Sequence, residues 1–259
     1  MQNEKKHRLF FVNGYYNDGK GLIPEWIAKN FIGLEGCRPY WGDTFISKAE
    51  EFLKADEVMF IDGRGAVEGS GTLRFIEGCA YADRHADLFE NCRITFVTHS
   101  MGAAYAEGII RCIAAKSADI NKVIHLSPAD PDSFTASWPD TVQLNLSRDC
   151  VLAWRNFGQQ MIIQGVKRFG LAALRTETLA ALRYSHIDTK YKTAVWDMIR
   201  DLMEMELQPE QEISASEHAD AAGKRKKYTA SGKVTEFSLM QLEGSLYAGC
   251  GAGSYQLAV

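Results

Sequence analysis

The feature that most constrains the fold is a series of five short runs rich in β-branched and aromatic residues, most of them separated by helix-like segments. The runs are Arg8–Asn13, Glu57–Asp62, Arg93–Thr98, Lys122–Ser127 and Thr141–Ser147. Their apolar character is continuous rather than alternating, which is typical of strands covered on both faces. The helical candidates between them are Pro24–Leu34, Lys48–Lys54, Thr72–Leu88 and Ala103–Lys116. This pattern predicts the α/β class, with a mostly parallel central sheet and helices on both faces.

Beyond the fifth run the pattern becomes mostly helical, over Val151–Ala172 and Glu177–Tyr184, and an amphipathic helix begins near Thr189. From about residue 208 the chain turns polar and charged, as linkers do. We therefore expect one α/β domain over residues 1–206, followed over 207–259 by a polar linker and a C-terminal tail. Within the tail, Tyr228–Leu246 is a candidate hairpin.

Charge and cysteine usage narrow the class of protein. The chain carries 29 Lys and Arg against 33 Asp and Glu, a net charge of -4, so we expect no nucleic-acid partner. Its 6 cysteines show neither a CxxC pair nor zinc-ligand spacing, which predicts reduced thiols. The N-terminal stretch MQNEKKHRLFFVNG has too few apolar residues for a signal peptide or a transmembrane segment. We expect a cytoplasmic protein, with signal-peptide-independent export left open.

The strongest local signal is RITFVTHSMGAAYAEG, residues 93–108, in which an apolar strand passes through a short turn into a helix of small residues. Ser100 lies at the tip of the turn. Such a turn strains the backbone of the serine, lifts its hydroxyl above the sheet and places the next N–H at a helix N-terminus. Gly102, Ala103 and Ala104 are small where strand and helix nearly collide. The alternative is a serine that only ends a strand and caps a helix.

Residues 98–102, THSMG, resemble the GxSxG nucleophile elbow of the α/β-hydrolase family, particularly its lipases and esterases. Thr98 stands where glycine is usual, so its branched Cβ must be accommodated beside the strand. The resemblance implies an α/β-hydrolase-like fold with Ser100 as the nucleophile. It also implies a histidine as base and a carboxylate that orients the histidine, in the chain order serine, acid, histidine.

The chain order selects among six histidines. Those that precede or abut the serine, or lie inside an apolar run, are His7, His85, His99 and His125. His218 lies in the polar linker. His186, in YSHID just before the amphipathic helix, matches the loop that carries the family's histidine. We therefore take His186 as the candidate base.

Asp149 is the candidate acid, because it follows the fifth run at the carboxyl end of a strand, where α/β active sites gather. Asp130 and Asp132 are the alternatives. They lie in LSPADPDSF, which resembles the LDPAxPxF stretch of pancreatic-type lipases. The aspartate of that stretch is the acid in those enzymes, and Ser127 takes its place here.

A tetrahedral intermediate needs two N–H donors at its oxyanion. The Met101 amide is one candidate. The other comes from the loop VNGYYN, which resembles the family's His-Gly oxyanion turn with Asn13 in place of histidine. Gly14 allows a sharp turn, which leaves the Tyr15 amide as the second donor. An ordinary Asn-Gly turn is the alternative.

The resemblance implies a serine hydrolase that cleaves a carboxylic ester, with no cofactor and no metal. The lipase-like loop favours a small-molecule or lipid ester as substrate. The apolar segment Val151–Leu174 is either core or, in part, the wall of an acyl-chain pocket. Two alternatives remain: an inactive hydrolase-fold binding or scaffolding protein, and an exported toxin-like lipase. The departures at Thr98, Ser127 and Asn13 motivate the first alternative.

Overall fold

The fold is taken from a computed structural model that describes residues 5–14, 38–64, 70–146, 149, 162–174, 186, 189–204, 237–242 and 245–250. The strands are β1 Lys6–Asn13, β2 Glu57–Asp62, β3 Cys92–His99, β4 Asp119–Leu126, β5 Thr141–Leu146, β6 Arg168–Leu174, β7 Phe237–Leu242 and β8 Ser245–Cys250. The α-helices are α1 Asp43–Leu53, α2 Gly71–Arg84, α3 Gly102–Ala115 and α4 Ala194–Glu204, and a 3₁₀ turn spans Ala86–Phe89. The helices predicted over Pro24–Leu34 and Glu177–Tyr184 lie outside the described residues.

The described strands form one sheet in the order β2-β1-β3-β4-β5-β6-β8-β7. The first six strands of that order are parallel, and β7 and β8 form an antiparallel hairpin whose second strand pairs with β6. The predicted hairpin therefore lies somewhat later in the chain than Tyr228–Leu246. Parallel neighbours place all their carboxyl ends at one edge of the sheet, where the residues after β1, β3, β4 and β5 meet.

Alternation along β1 shows why both faces are covered. Leu9 and Phe11 pack on one face into a core with α1 and α4, whereas Phe10 and Val12 pack on the other face with α2 and α3. All four side chains are fully buried. Because both faces of β1 are covered at these four positions, each of them is apolar, which accounts for the continuous run. The predicted α/β class, a mostly parallel sheet with helices on both faces, is confirmed.

Helices α2 and α3 cross at close range. A Cβ at Gly78 would clash with the Tyr105 carbonyl, and one at Gly108 would clash with the Phe75 carbonyl. Beside this crossing, a disulfide joins Cys79 to Cys112, whose Cα atoms are 5.5 Å apart. The prediction of reduced thiols is therefore wrong for this pair. The two cysteines are 33 residues apart, and this spacing matches no known sequence motif. The helix crossing brings the two thiols together.

The segment after β5 departs from the predicted helix over Val151–Ala172. Its last part is strand β6, which pairs with β5 in the register Val142↔Arg168. Ile163 and Val166, just before β6, are buried against the start of α3, so this described part is core. Among the described residues, no helix is long and apolar enough to span a membrane.

Candidate active site

Ser100 occupies the turn between β3 and α3 with a left-handed backbone, φ 56°. Its N–H donates to the Leu126 carbonyl at the end of β4 (3.1 Å), and its carbonyl accepts from the N–H of Ala103 (3.2 Å). A non-glycine residue adopts this conformation at a cost of about 1–3 kcal/mol, and the surrounding structure must hold it there. The residue is 7% exposed. The turn therefore presents a largely enclosed serine at the carboxyl edge of the sheet.

Two glycines allow the chain to pass close to this turn. A Cβ at Gly14 would lie 2.6 Å from the Ser100 Cβ and 3.1 Å from the Met101 nitrogen. A Cβ at Gly102 would lie 2.5 Å from the Asn13 carbonyl oxygen. The end of β1 thus lies directly against the Met101 amide, one of the two predicted oxyanion donors. Tyr15, the other, lies outside the described residues.

Asn13 is fully buried beside this turn. Its amide nitrogen donates to the Gly14 carbonyl (2.9 Å) and to Asp62 Oδ1 (3.1 Å). Asn13 therefore constrains the direction of the Gly14 peptide. Each nitrogen of an imidazole carries at most one proton, so a histidine here could not donate to Gly14 and Asp62 from one atom. The replacement of the family's histidine by Asn13 therefore has a structural role.

The Thr98 side chain belongs to a row of buried polar side chains that are hydrogen-bonded to one another. Its Oγ1 lies 2.7 Å from His125 Nδ1, and His125 Nε2 lies 2.8 Å from Glu107 Oε1. All three side chains are fully buried. Buried polar groups are tolerated when they are hydrogen-bonded to one another. These hydrogen bonds link β3, β4 and α3, and they give the Thr98 hydroxyl a partner on β4.

The predicted base and acid lie together. His186 Nδ1 is 2.7 Å from Asp149 Oδ2, with side-chain exposures of 9% and 0%. Asp132 is exposed, and the Asp130 carbonyl accepts the hydroxyl of Ser133 (2.8 Å) in the loop after β4. Among the described residues, the carboxylate that meets His186 is thus Asp149.

His99, the residue before Ser100, connects the serine turn to the His186–Asp149 pair. The His99 ring lies 4.6 Å from the His186 ring, centroid to centroid. His99 Nε2 donates to the His186 carbonyl (2.6 Å), and His99 Nδ1 is hydrogen-bonded to the Tyr40 hydroxyl. Burial lowers the pKa of His99 well below its usual range, and His186 and Lys190 lower it further. His99 is therefore neutral at physiological pH.

Sequence reasoning set His99 aside because it abuts the serine, and it found neither Tyr40 nor Lys190. Both are buried beside His99: the Lys190 ammonium donates to the Tyr40 carbonyl (2.5 Å) and lies 3.4 Å from the centre of the Tyr40 ring. No motif marks either residue. The one available signal was the imidazole next to the serine, within an apolar run that leads into the site.

The remaining histidines have other partners. His7 lies at the amino end of the sheet, between the Lys54 carbonyl and the Thr95 hydroxyl. His85 packs against the Tyr81 ring, and His218 lies outside the described residues. Within the described part of the chain, no group of three or more His, Cys, Asp or Glu side chains is placed to hold a metal ion.

No family model matches the chain, and no curated protein matches it. Solved structures similar to it include a lipase-esterase related protein from Clostridium acetobutylicum. That protein is 13% identical over 77% of this chain and 96% of its own, with a TM-score of 0.40. A candidate hydrolase from Agrobacterium vitis is 13% identical over 77% of this chain and 88% of its own, with a TM-score of 0.39.

Proposed function

We propose that the chain is a serine hydrolase that cleaves a carboxylic ester through an acyl-enzyme. The observation that carries the proposal is the buried hydrogen bond between His186 Nδ1 and Asp149 Oδ2, on an imidazole that packs beside the residue next to Ser100. A histidine oriented by a carboxylate next to a serine in a strained strand-to-helix turn is the arrangement that activates a hydroxyl.

The chemistry follows from the hydrogen bonds. Because His186 donates its Nδ1 proton to Asp149, Nε2 is the basic nitrogen that takes the Ser100 proton. The serine oxygen attacks the ester carbonyl, and the oxyanion accepts the Met101 N–H and a second N–H, for which Tyr15 is the candidate. His186 then protonates the departing alkoxide as the C–O bond breaks. A water molecule, deprotonated by the same nitrogen, hydrolyses the acyl-enzyme and releases the acid.

Labelling with a fluorophosphonate probe tests the proposal, because the probe phosphonylates only an activated serine. We expect the purified protein to be labelled, and Ser100→Ala and His186→Ala to abolish labelling. Ser127→Ala is the matched control: Ser127 also has positive φ (44°) and also follows a strand, and its buried hydroxyl has no hydrogen-bond partner among the described residues. This variant should label as the wild type does.

The absence of labelling in folded wild-type protein, or persistent labelling of Ser100→Ala, would overturn the proposal in favour of a binding role for the fold. With labelling established, esters of increasing acyl length identify the substrate class. We expect hydrolysis of at least one small-molecule or lipid ester, lost in Ser100→Ala and retained in Ser127→Ala.

A further inference from the structure

A single hydrogen-bonded chain joins the three segments that the proposed mechanism uses. The Gly14 backbone is hydrogen-bonded to the Tyr40 hydroxyl, the Tyr40 hydroxyl to His99 Nδ1, and His99 Nε2 to the His186 carbonyl. Gly14 directly follows β1, His99 is the last residue of β3 before Ser100, and His186 is the proposed base. Tyr40 lies just before α1, outside all three segments.

Chemistry sets the direction of every bond in this chain. The His186 carbonyl can only accept, so His99 Nε2 must carry a proton. Neutral His99 therefore has a bare Nδ1, which accepts the proton of the Tyr40 hydroxyl. The Tyr40 oxygen accepts the Gly14 N–H through a lone pair. The directions of the two hydrogen bonds made by the His99 ring are therefore fixed.

Burial makes this arrangement costly to break. Tyr40 is 2% exposed and His99 is 1% exposed, so a lost partner leaves a polar group without water. The Tyr40 carbonyl is also held by Lys190, from the segment after His186. Thr189 Oγ1 donates to the same His186 carbonyl (2.9 Å). Several residues therefore fix the position of the His186 backbone. Among them, His99 is the one that is adjacent to Ser100 in the chain.

We propose that His99 and Tyr40 are positioning residues that hold the His186 segment at the serine turn, with the His99 Nε2–H···O=C His186 hydrogen bond as the connection. This inference rests on the proposed function. Asp149 orients the His186 ring from its side chain, whereas His99 fixes the backbone from which the ring projects. Because a misplacement of about 1 Å can cost about 100-fold in rate, loss of the connection should slow the acylation of Ser100.

The test compares rates of fluorophosphonate labelling in His99→Ala, His99→Gln and Tyr40→Phe. Alanine removes the donor, and we expect labelling to slow by about tenfold or more. Glutamine can place an N–H near the Nε2 position, so His99→Gln should recover to within about threefold of the wild type. Tyr40→Phe removes the hydroxyl that fixes the His99 tautomer, and its rate should fall between those two variants.

His7→Gln is the matched control. His7 is also buried and hydrogen-bonded through both ring nitrogens, but at the opposite end of the sheet. Its substitution should lower the unfolding temperature without slowing labelling. With an ester substrate, the His99 and Tyr40 variants should lower kcat and leave KM within about twofold, because neither residue is proposed to touch the substrate.

The two proposals fail in distinguishable ways. Unlabelled wild type would overturn the serine-hydrolase function itself. Labelled wild type with folded His99→Ala reacting at the wild-type rate would overturn only the positioning role. So would a His99→Gln rate as low as that of His99→Ala, because ring packing rather than the hydrogen bond would then matter. If His99→Ala does not fold, Tyr40→Phe decides: a rate equal to the wild type refutes the inference.

Discussion

Lys190 gives the sharpest test of the energetics around the site. Its side chain is enclosed, with the residue 1% exposed, and its ammonium contacts the Tyr40 carbonyl and the Tyr40 ring. Among the described residues, no carboxylate forms an ion pair with it. Burial lowers the pKa of Lys190 from 10.5 to about 7.

The shift predicts how stability changes with pH. Between pH 7 and pH 10.5 the unfolded chain carries the Lys190 proton and the folded chain does not, so the free energy of unfolding rises with pH in this interval. The whole shift corresponds to about 5 kcal/mol of destabilisation at low pH. Of this, about 2 kcal/mol is regained between pH 7 and pH 9. The penalty is complete below pH 7 and absent above pH 10.5.

Urea unfolding of the wild type and Lys190→Met at pH 7, 8 and 9 measures the effect. Methionine keeps most of the length of the side chain and removes its titration, so the stability of the wild type relative to the variant should rise by about 2 kcal/mol across this range. The loss of the hydrogen bond to Tyr40 shifts the difference by a constant amount. Lys192→Met, at an exposed neighbouring position, should run parallel to the wild type. A difference between the wild type and Lys190→Met that does not change with pH would refute the reasoning.

Three further predictions concern other parts of the molecule. Asp149→Asn should slow fluorophosphonate labelling by about 10³-fold or more, because it removes the acceptor that selects the His186 tautomer. The control Asp132→Asn should label at the wild-type rate. Equal labelling rates for the two variants would show that Asp149 has no part in the proposed mechanism. Gly108→Ala should lower the free energy of unfolding by about 1–3 kcal/mol, because its methyl group meets a carbonyl of α2, and an unchanged denaturation midpoint would contradict this close crossing. Replacement of both Cys79 and Cys112 by serine should lower the free energy of unfolding by about 3 kcal/mol in the same assay. Reduction of the wild type by dithiothreitol should cause an equal loss and should leave the serine variant unchanged, which would identify the disulfide as the source of the stability.

Local patterns predicted much of the architecture because their causes are local. Runs such as Arg8–Asn13 are apolar at successive positions since both faces of the strand are buried, and the structure has a strand there. The turn at Ser100 was predicted for the same kind of reason. Small residues follow the serine where β1 passes close by, and a Cβ at Gly102 has no room.

The sequence patterns did not predict which distant segments pair with each other. Strand β6 looked helical because a short apolar run carries no clear period, and its pairing with β5 and β8 makes it a strand. The Cys79–Cys112 bond depends on two glycines that let the helices approach. Helix-length patterns describe one element at a time, so they hold no information on which elements meet.

The sequence by itself determined the class of fold, the order of the candidate residues Ser100, Asp149 and His186 along the chain, and the place of Ser100 between a strand and a helix. Only the tertiary structure decided that His186 meets Asp149 rather than Asp130 or Asp132, and that His99 is joined to Tyr40. The physical reason is that a hydrogen bond depends on distance and direction in space. Residues 37 or 59 positions apart acquire these only when the sheet and its helices have packed.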